Sequence, residues 1–467
     1  MNFIMYRSRI WILFLYILVA TVFFIKWFDI PEVYQTNYIV LLVSYILVGG
    51  LMCYRWITKK ASLFEPFTIV SILYLMLMLI YPMYDYIRLN LMKGGVDTSS
   101  GCIEGTLLFV ISYLAFFLGY VTNKPLERIK KHNFFSSIDS LSDKTICKIM
   151  IVVWLVSIAG ALYGQVNRGF SLNYILSMGS VDADGWNISS SSGKYLFLLM
   201  LNPTAIVSAI SIFVFSKNKY LKFFIMGITL LVLFMRGSRM LMIVMLGALI
   251  VYYYVRNKKT PSLKKSILVL SLALFVITSM QIARGSIYMG RDFRNDLYEK
   301  LVTVDAYMAP FESDFSTYKV YYGIINAIPE KMDYLYGRGI FGYTAALIIP
   351  RSLWPNKPDA PEREIVLRSL GQTAVDSGNA YPNIGTFYSE FGWIGSVIFM
   401  FLYGRLLSNA RKLYMLNSRS ALILYACLWP FCFQLTMRSI SNAVYVLGFG
   451  ILPFIVVWLY KKLVFVR

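Results

Sequence analysis

At Ile384-Gly-Thr-Phe-Tyr-Ser-Glu-Phe-Gly-Trp-Ile-Gly395 the chain changes character. Upstream lie roughly a hundred residues, Ala283 to Asn383, which are too polar to span a bilayer and too long to be a simple connector; loops beyond about 12–15 residues are usually functional or disordered. Downstream of this block, and again before Ala283, the chain runs in apolar stretches of membrane-spanning size. A polar block of this length set between two membrane segments is expected to be the working part.

The chain has 467 residues, of which 58% are hydrophobic, and a mean hydropathy of +0.61. The excess lies in repeated apolar runs, which a soluble core does not need. They are Ile10–Ile25, Tyr38–Met52, Phe67–Met83, Thr106–Thr122, Ile146–Tyr163, Tyr195–Phe215, Phe223–Met235, Met240–Val255, Ile267–Ile282, Ile384–Tyr403, Ala421–Thr436 and Val444–Tyr460. The expected fold is therefore an all-α polytopic membrane protein: about twelve transmembrane helices in one integral domain, residues 1–467, carrying one large extracytoplasmic loop, residues 283–383. No small-residue cleavage site follows the short basic stretch Met1–Arg9 and its apolar run, so the first helix reads as retained.

The formal charge of +21 raises the question of nucleic acid, and its location answers it. Alternate connections are strongly basic: Arg55/Lys59/Lys60, Lys124 to Lys148, Lys217/Lys219/Lys222, Arg256 to Lys265, Arg405 to Arg419, and Lys461/Lys462/Arg467. With Arg7 and Arg9 they hold 26 Lys and Arg against four acids, Glu65, Glu127, Asp139 and Asp143, which leaves 19 basic and 20 acidic residues elsewhere. The net charge is thus a topology signal. The positive-inside rule places this face, and both termini, in the cytoplasm, and a nucleic-acid partner is excluded.

Chemistry at the outer face has few tools. The single histidine, His132, falls in a cytoplasmic basic loop, so no outer step has imidazole available. Five cysteines, Cys53, Cys102, Cys147, Cys427 and Cys432, form no CxxC pair and imply neither a disulfide framework nor a thiolate metal site. Asp182-Ala-Asp184 has the spacing of a cation-holding carboxylate pair, yet it lies in an outer loop where nucleotide sugars are not expected, and reads as solvated. The outer face does have arginines near the membrane plane: Arg236 and Arg239, Arg284, Arg351 and Arg438. Guanidinium forks suit bidentate phosphate contacts and keep their charge, so they point to a phosphorylated lipid headgroup; snorkelling or ion pairing is the alternative for any one of them.

Phe223–Met235 is anomalously short, 13 residues or about 20 Å of helix against about 30 Å of hydrocarbon. Either Lys222 and Tyr220 reach down from the cytoplasmic interface, or Arg236-Gly-Ser-Arg239 lies below the outer surface, facing protein or water. Within the large loop, Phe293, Leu297, Leu301, Val304, Met308 and Phe311 recur at helical spacing and predict an amphipathic helix. Trp354-Pro-Asn-Lys-Pro-Asp-Ala-Pro361 reads as rigid extended chain. Glu390 is an acid six residues into an apolar segment; a partly desolvated carboxylate gains basicity and accepts a proton from a hydroxyl, whereas its structural alternative is an ion pair with a nearby arginine.

Arg236-Gly-Ser-Arg239 opening a helix, Ile349-Pro-Arg-Ser-Leu-Trp-Pro-Asn-Lys-Pro358, and Pro382-Asn-Ile-Gly-Thr-Phe-Tyr-Ser-Glu-Phe-Gly-Trp-Ile-Gly395 closing the loop together resemble the Wzy-type oligosaccharide repeat-unit (O-antigen) polymerases. The resemblance covers the whole chain in layout and about its second half in residues. It implies a glycosyltransferase of the bacterial cytoplasmic membrane whose substrate is an undecaprenyl-pyrophosphate-linked oligosaccharide flipped to the outer leaflet. It also implies no soluble cofactor and no metal, with a flippase and a chain-length regulator as partner proteins. On this reading Arg239 stabilises the departing charge with Arg236, Arg284, Arg351 and Arg438 beside it, Glu390 is the base, and Lys357 and Tyr388 line the site.

The nearest rival is an O-antigen ligase, whose family typically carries a functional histidine in its large outer loop; this loop has none. A flippase or transporter should show two similar halves or mid-membrane polar residues across several helices, and the sequence shows neither.

Overall fold

The computed structural model describes residues 2–58, 62–123, 134–166, 201–235, 239–259, scattered positions between 261 and 314, 315–347, 349, 354, 356, 361–371, 381–416, 418–437 and 440–465. They are almost wholly helical. α1 (Asn2–Lys26), α2 (Glu32–Ile57), α3 (Pro66–Ile87), α4 (Cys102–Thr122), α5 (Phe134–Asp139), α6 (Asp143–Val166), α7 (Asn202–Phe215), α8 (Lys219–Met235) and α9 (Arg239–Arg256) form the first half. The loop contributes α10 (Phe293–Leu301), α11 (Thr317–Ala327), a π-helical turn Arg338–Tyr343 running into α12 (Thr344–Leu347), and α13 (Pro361–Ser369). α14 (Asn383–Met415), α15 (Arg419–Met437) and α16 (Ile440–Phe465) close the chain. A two-residue hairpin, Met92–Lys93 with Val96–Asp97, joins α3 to α4.

Seven helices among the described residues are long and apolar enough to cross a membrane: α2, α3, α4, α6, α14, α15 and, from Leu447 to Val464, α16. Most of the expected segments are found within a few residues of their sequence bounds, while Ile267–Ile282 is described only at scattered positions. Two expectations are corrected. The seventh segment is not 13 residues but a 17-residue helix, Lys219–Met235, about 26 Å long, because the polar turn before it is helical from Lys219 onward; a depressed arginine pair is no longer needed to explain its length. In the loop, the helix starting at Phe293 ends at Leu301 in a turn closed by Thr303 N–H on Lys300 O. Val304, Met308 and Phe311 lie outside the described residues.

Local chemistry sets several boundaries. Pro66 and Pro361 each open a helix, where a missing N–H costs nothing. Within α3, Pro82 cannot close the usual bond to Met78, and the helix widens into a π turn over Met76–Ile80. α4 and α14 cross at two glycines, Gly119 and Gly404: a Cβ on Gly119 would strike the Phe401 carbonyl, and one on Gly404 the Phe116 carbonyl. Small residues at a crossing let membrane helices approach to backbone contact.

The buried residues form two cores. One gathers α2, α3, α4, α11, α13 and α14; the other gathers α5 to α9 with α16. α15 serves both, with Ala421 to Phe431 in the second and Cys432 to Met437 in the first.

Polar links tie each end of the bundle separately. At the basic end, Glu65 meets Arg55 (3.3 Å), Arg411 (3.4 Å) and the Tyr120 hydroxyl (2.7 Å). Asp139 accepts from the amides of Arg419 and Ser420, capping α15 from another element, while Asp143 takes the Arg419 guanidinium at 2.6 Å. At the opposite end, buried Asp85 accepts from Lys319 Nζ (2.9 Å) and the Tyr318 hydroxyl (2.7 Å), and Tyr321 donates to the Gly105 carbonyl (2.9 Å). Asn326 reaches Ser100 there, and Arg88 reaches Glu312. Connections expected on one side of the membrane therefore touch one another, and those expected on the other side do likewise.

Candidate functional site

α11 is the keel of the loop. Its residues from Thr317 to Ile325 are buried, and Tyr321 and Tyr322 lie where Gly101, just before α4, and Gly105 within it leave no side chain in the way. Burial pushes the phenols of Tyr318, Tyr321 and Tyr322 well above their usual range, so they remain hydrogen-bond donors; the Asp85 carboxylate raises Tyr318 further. The Asp85–Lys319 pair pins α11 to α3.

Behind α11 the chain makes its least expected move. Asn383–Met415 is not one straight helix: Phe391 (φ −143°, ψ 19°) and Gly392 (φ 64°, ψ −148°) break it. In a straight helix Phe387 and Phe399 would lie about 18 Å apart, yet their rings stack with centroids 5.2 Å apart. The Tyr74 hydroxyl donates to Asn383 Oδ1 at 2.6 Å and lies 3.5 Å from Met400 Sδ. Asn383–Glu390 is thus a short helix folded back along the start of the next, and Gly392 has the backbone of the reversal, which side chains disfavour. Tyr381 through Glu390 are all buried, as irregular chain inside a bundle must be. The tenth apolar segment, expected as a single span Ile384–Tyr403, is therefore broken at Phe391–Gly392 into a short helix and a longer one that double back on each other.

The break frees carbonyls that a helix would otherwise use. Leu335 N–H takes the Ser389 carbonyl (2.9 Å) and Tyr336 N–H takes that of Glu390 (3.0 Å). The Glu390 side chain completes the clasp: Oε2 accepts from Gly337 N–H at 2.7 Å and Oε1 from Ile340 N–H at 2.9 Å. Gly339 lies against that carboxylate so closely that a Cβ there would collide with Oε1. Tyr334 packs on Gly392 and edge-on to Tyr388, and the Tyr388 hydroxyl donates to the Ile328 carbonyl at 2.9 Å.

Of the expected site residues, Glu390 and Tyr388 are both buried, at 0% and 2% exposure, and both are engaged with backbone. Arg239 opens α9. Arg236, Arg284, Arg351, Lys357 and Arg438 lie outside the described residues, as do His132, Asp182 and Asp184.

Sequence reading missed Arg338. It is exposed on the clasp itself, between Gly337 and Gly339, with Nε donating to the Leu335 carbonyl at 3.3 Å. Tyr336 and Phe341 of the same turn are exposed as well, a mixture that suits a membrane–water interface. Its signal was the glycine on each side, which has no periodicity to detect.

Asn383 Nδ2 and Thr386 Oγ1, at helical spacing with Glu390, are buried with no hydrogen-bond partner among the described residues. All five cysteines are buried free thiols.

Seven apolar helices of membrane-spanning length among the described residues define an all-α polytopic membrane protein. The chain belongs to the O-antigen polysaccharide polymerase Wzy family, whose profile matches residues 8–467. Comparison with curated proteins and with solved structures gave no match. Membership gives the chain a role in polymerising lipid-linked oligosaccharide.

Proposed function

We propose that this protein transfers a growing glycan from undecaprenyl pyrophosphate onto the non-reducing end of a new lipid-linked repeat unit, at the outer leaflet of the cytoplasmic membrane. The observation that carries the reading is the family match along nearly the whole chain. In this reading the basic end of the bundle and both termini face the cytoplasm, and a flippase and a chain-length regulator act with the enzyme.

The leaving group carries its own pyrophosphate, so the protein supplies cationic hydrogen-bond donors for the departing charge and a base for the acceptor hydroxyl. Arg239, Arg236, Arg284, Arg351 and Arg438 are the first set of donors, and Lys357 lines the site. Arg338 joins them, because it is an exposed guanidinium on the clasp, held there by the bond from Nε to the Leu335 carbonyl. Glu390 serves as base only when the turn at Gly337–Ile340 moves off its two oxygens. As it stands, the carboxylate is a positioning residue that holds Arg338 in place, with Tyr388 bracing the same break from behind.

Glu390→Gln separates the roles. An amide cannot accept from both Gly337 and Ile340, so a positioning role predicts that the variant becomes sensitive to protease at the turn. A base predicts that polymerisation loses its acidic limb against pH while protease resistance stays normal. The function itself is read from cells with an intact ligase. Loss of this protein should leave lipid core capped with one repeat unit, whereas uncapped core with polymer still on the carrier lipid would make the chain a ligase.

A further inference from the structure

Between α7, α8 and α9, at the end of the bundle carrying the basic connections, lies a cleft of about 310 Å³. Lys222 and Arg256 line it above apolar walls that include Phe213, Val214 and Leu249. Lys222 Nζ sits 5.3 Å from the centre of the Phe213 ring, and Arg256 donates to the Tyr252 hydroxyl at 2.9 Å. Among the described residues no carboxylate lines the cleft and neither cation has an acidic partner. The described acids of this end are engaged elsewhere: Glu65 by Arg55, Arg411 and Tyr120, Asp139 by Arg419 and Ser420, and Asp143 by Arg419.

Two cations left uncompensated beside apolar walls attract phosphate at a membrane surface. The apolar side continues outward, since the Phe213 ring meets Phe223 edge-on and Phe223 is 70% exposed on the bundle surface. A free phosphate uses only the cations; a phospholipid uses the walls as well. We propose that this cleft holds the headgroup phosphate of an anionic phospholipid, with its acyl chains running along Phe223 and the exposed face of α8. The site lies at the end of the bundle opposite the clasp and is independent of the polymerase reading.

The test uses the full chain purified in a neutral detergent, with phosphatidylglycerol or phosphatidylcholine added and the retained lipid counted by native mass spectrometry. Wild-type protein should retain phosphatidylglycerol in preference. Lys222→Gln removes no hydrogen bond seen in the structure and should weaken that retention about fivefold, and adding Arg256→Gln should weaken it about fivefold again. Equal retention of both lipids by the wild type, or unchanged phosphatidylglycerol retention in Lys222→Gln protein of normal elution profile, would overturn the proposal. Displacement of the lipid by inorganic phosphate alone would also overturn it, assigning the cleft to a soluble anion.

Discussion

The two cores of this bundle are built from different side chains. Among the described residues, the one holding the loop buries thirteen tyrosines, among them Tyr74, Tyr113, Tyr318, Tyr321, Tyr322 and Tyr388, whereas the other buries two, Tyr252 and Tyr425, among mostly aliphatic residues. In hydrocarbon, burying an apolar side chain between helices gains little over leaving it in lipid, and a hydroxyl must find a partner. A tyrosine core therefore fixes geometry at the expense of tolerance. Tyr321 on the Gly105 carbonyl, Tyr388 on the Ile328 carbonyl and Tyr318 on Asp85 each fix the loop at one point. The aliphatic core has fewer such constraints and reads as a scaffold.

The largest expected difference lies at the backbone crossings. Gly119→Val, in the tyrosine-rich half, forces a side chain into the Phe401 carbonyl, a backbone atom that cannot yield as a side chain can, and should remove folded protein from the membrane. Gly227→Ala in α8 meets nothing and should hold or raise thermal stability, by about 0.5–1 kcal/mol. Equal accumulation of the two variants would erase the contrast.

Next comes the buried ion pair. Lys319→Met leaves Asp85 charged with no cation, only the Tyr318 hydroxyl and the Asn90 amide, and should cost about 3–5 kcal/mol, read as a fall in melting temperature, with Asp85→Leu in the same chain restoring much of it. No recovery in the double variant would mean that Lys319 acts otherwise than through Asp85.

Arg338→Lys keeps the charge but not the planar fork. It should lower polymerisation about 100-fold, the scale of losing one donor to a developing charge, with stability unchanged. Normal polymer would return Arg338 to the plain surface. The smallest effect is expected in the scaffold: Trp154→Phe loses the bond to Thr229 (2.8 Å), which should cost about 1 kcal/mol in thermal unfolding and nothing in polymer length.

Hydropathy and charge made the helices legible, because each apolar run and each basic turn is a local property. The reversal at Gly392 was not, since a window of apolar residues reads the same whether the chain runs straight or doubles back. Its trace was present in the spacing of Asn383, Thr386 and Glu390, a polar stripe inside an apolar segment, together with Pro382 and Gly392 at its ends. Glu390 was found because it is charged; its partners, the amides of Gly337 and Ile340, have no side-chain signature and lie some fifty residues away in the chain. Arg338 was passed over for the same reason.

The central claim is that the Glu390 clasp holds the loop in its working position, and two glycines of the same turn test it. Gly339→Ala places a methyl against the Glu390 carboxylate, whereas Gly342→Ala meets nothing within 4 Å. Polymer length from cells carrying each variant at equal protein level is the measurement. The account predicts single-repeat product from Gly339→Ala and full-length chains from Gly342→Ala; full-length chains from both would contradict it.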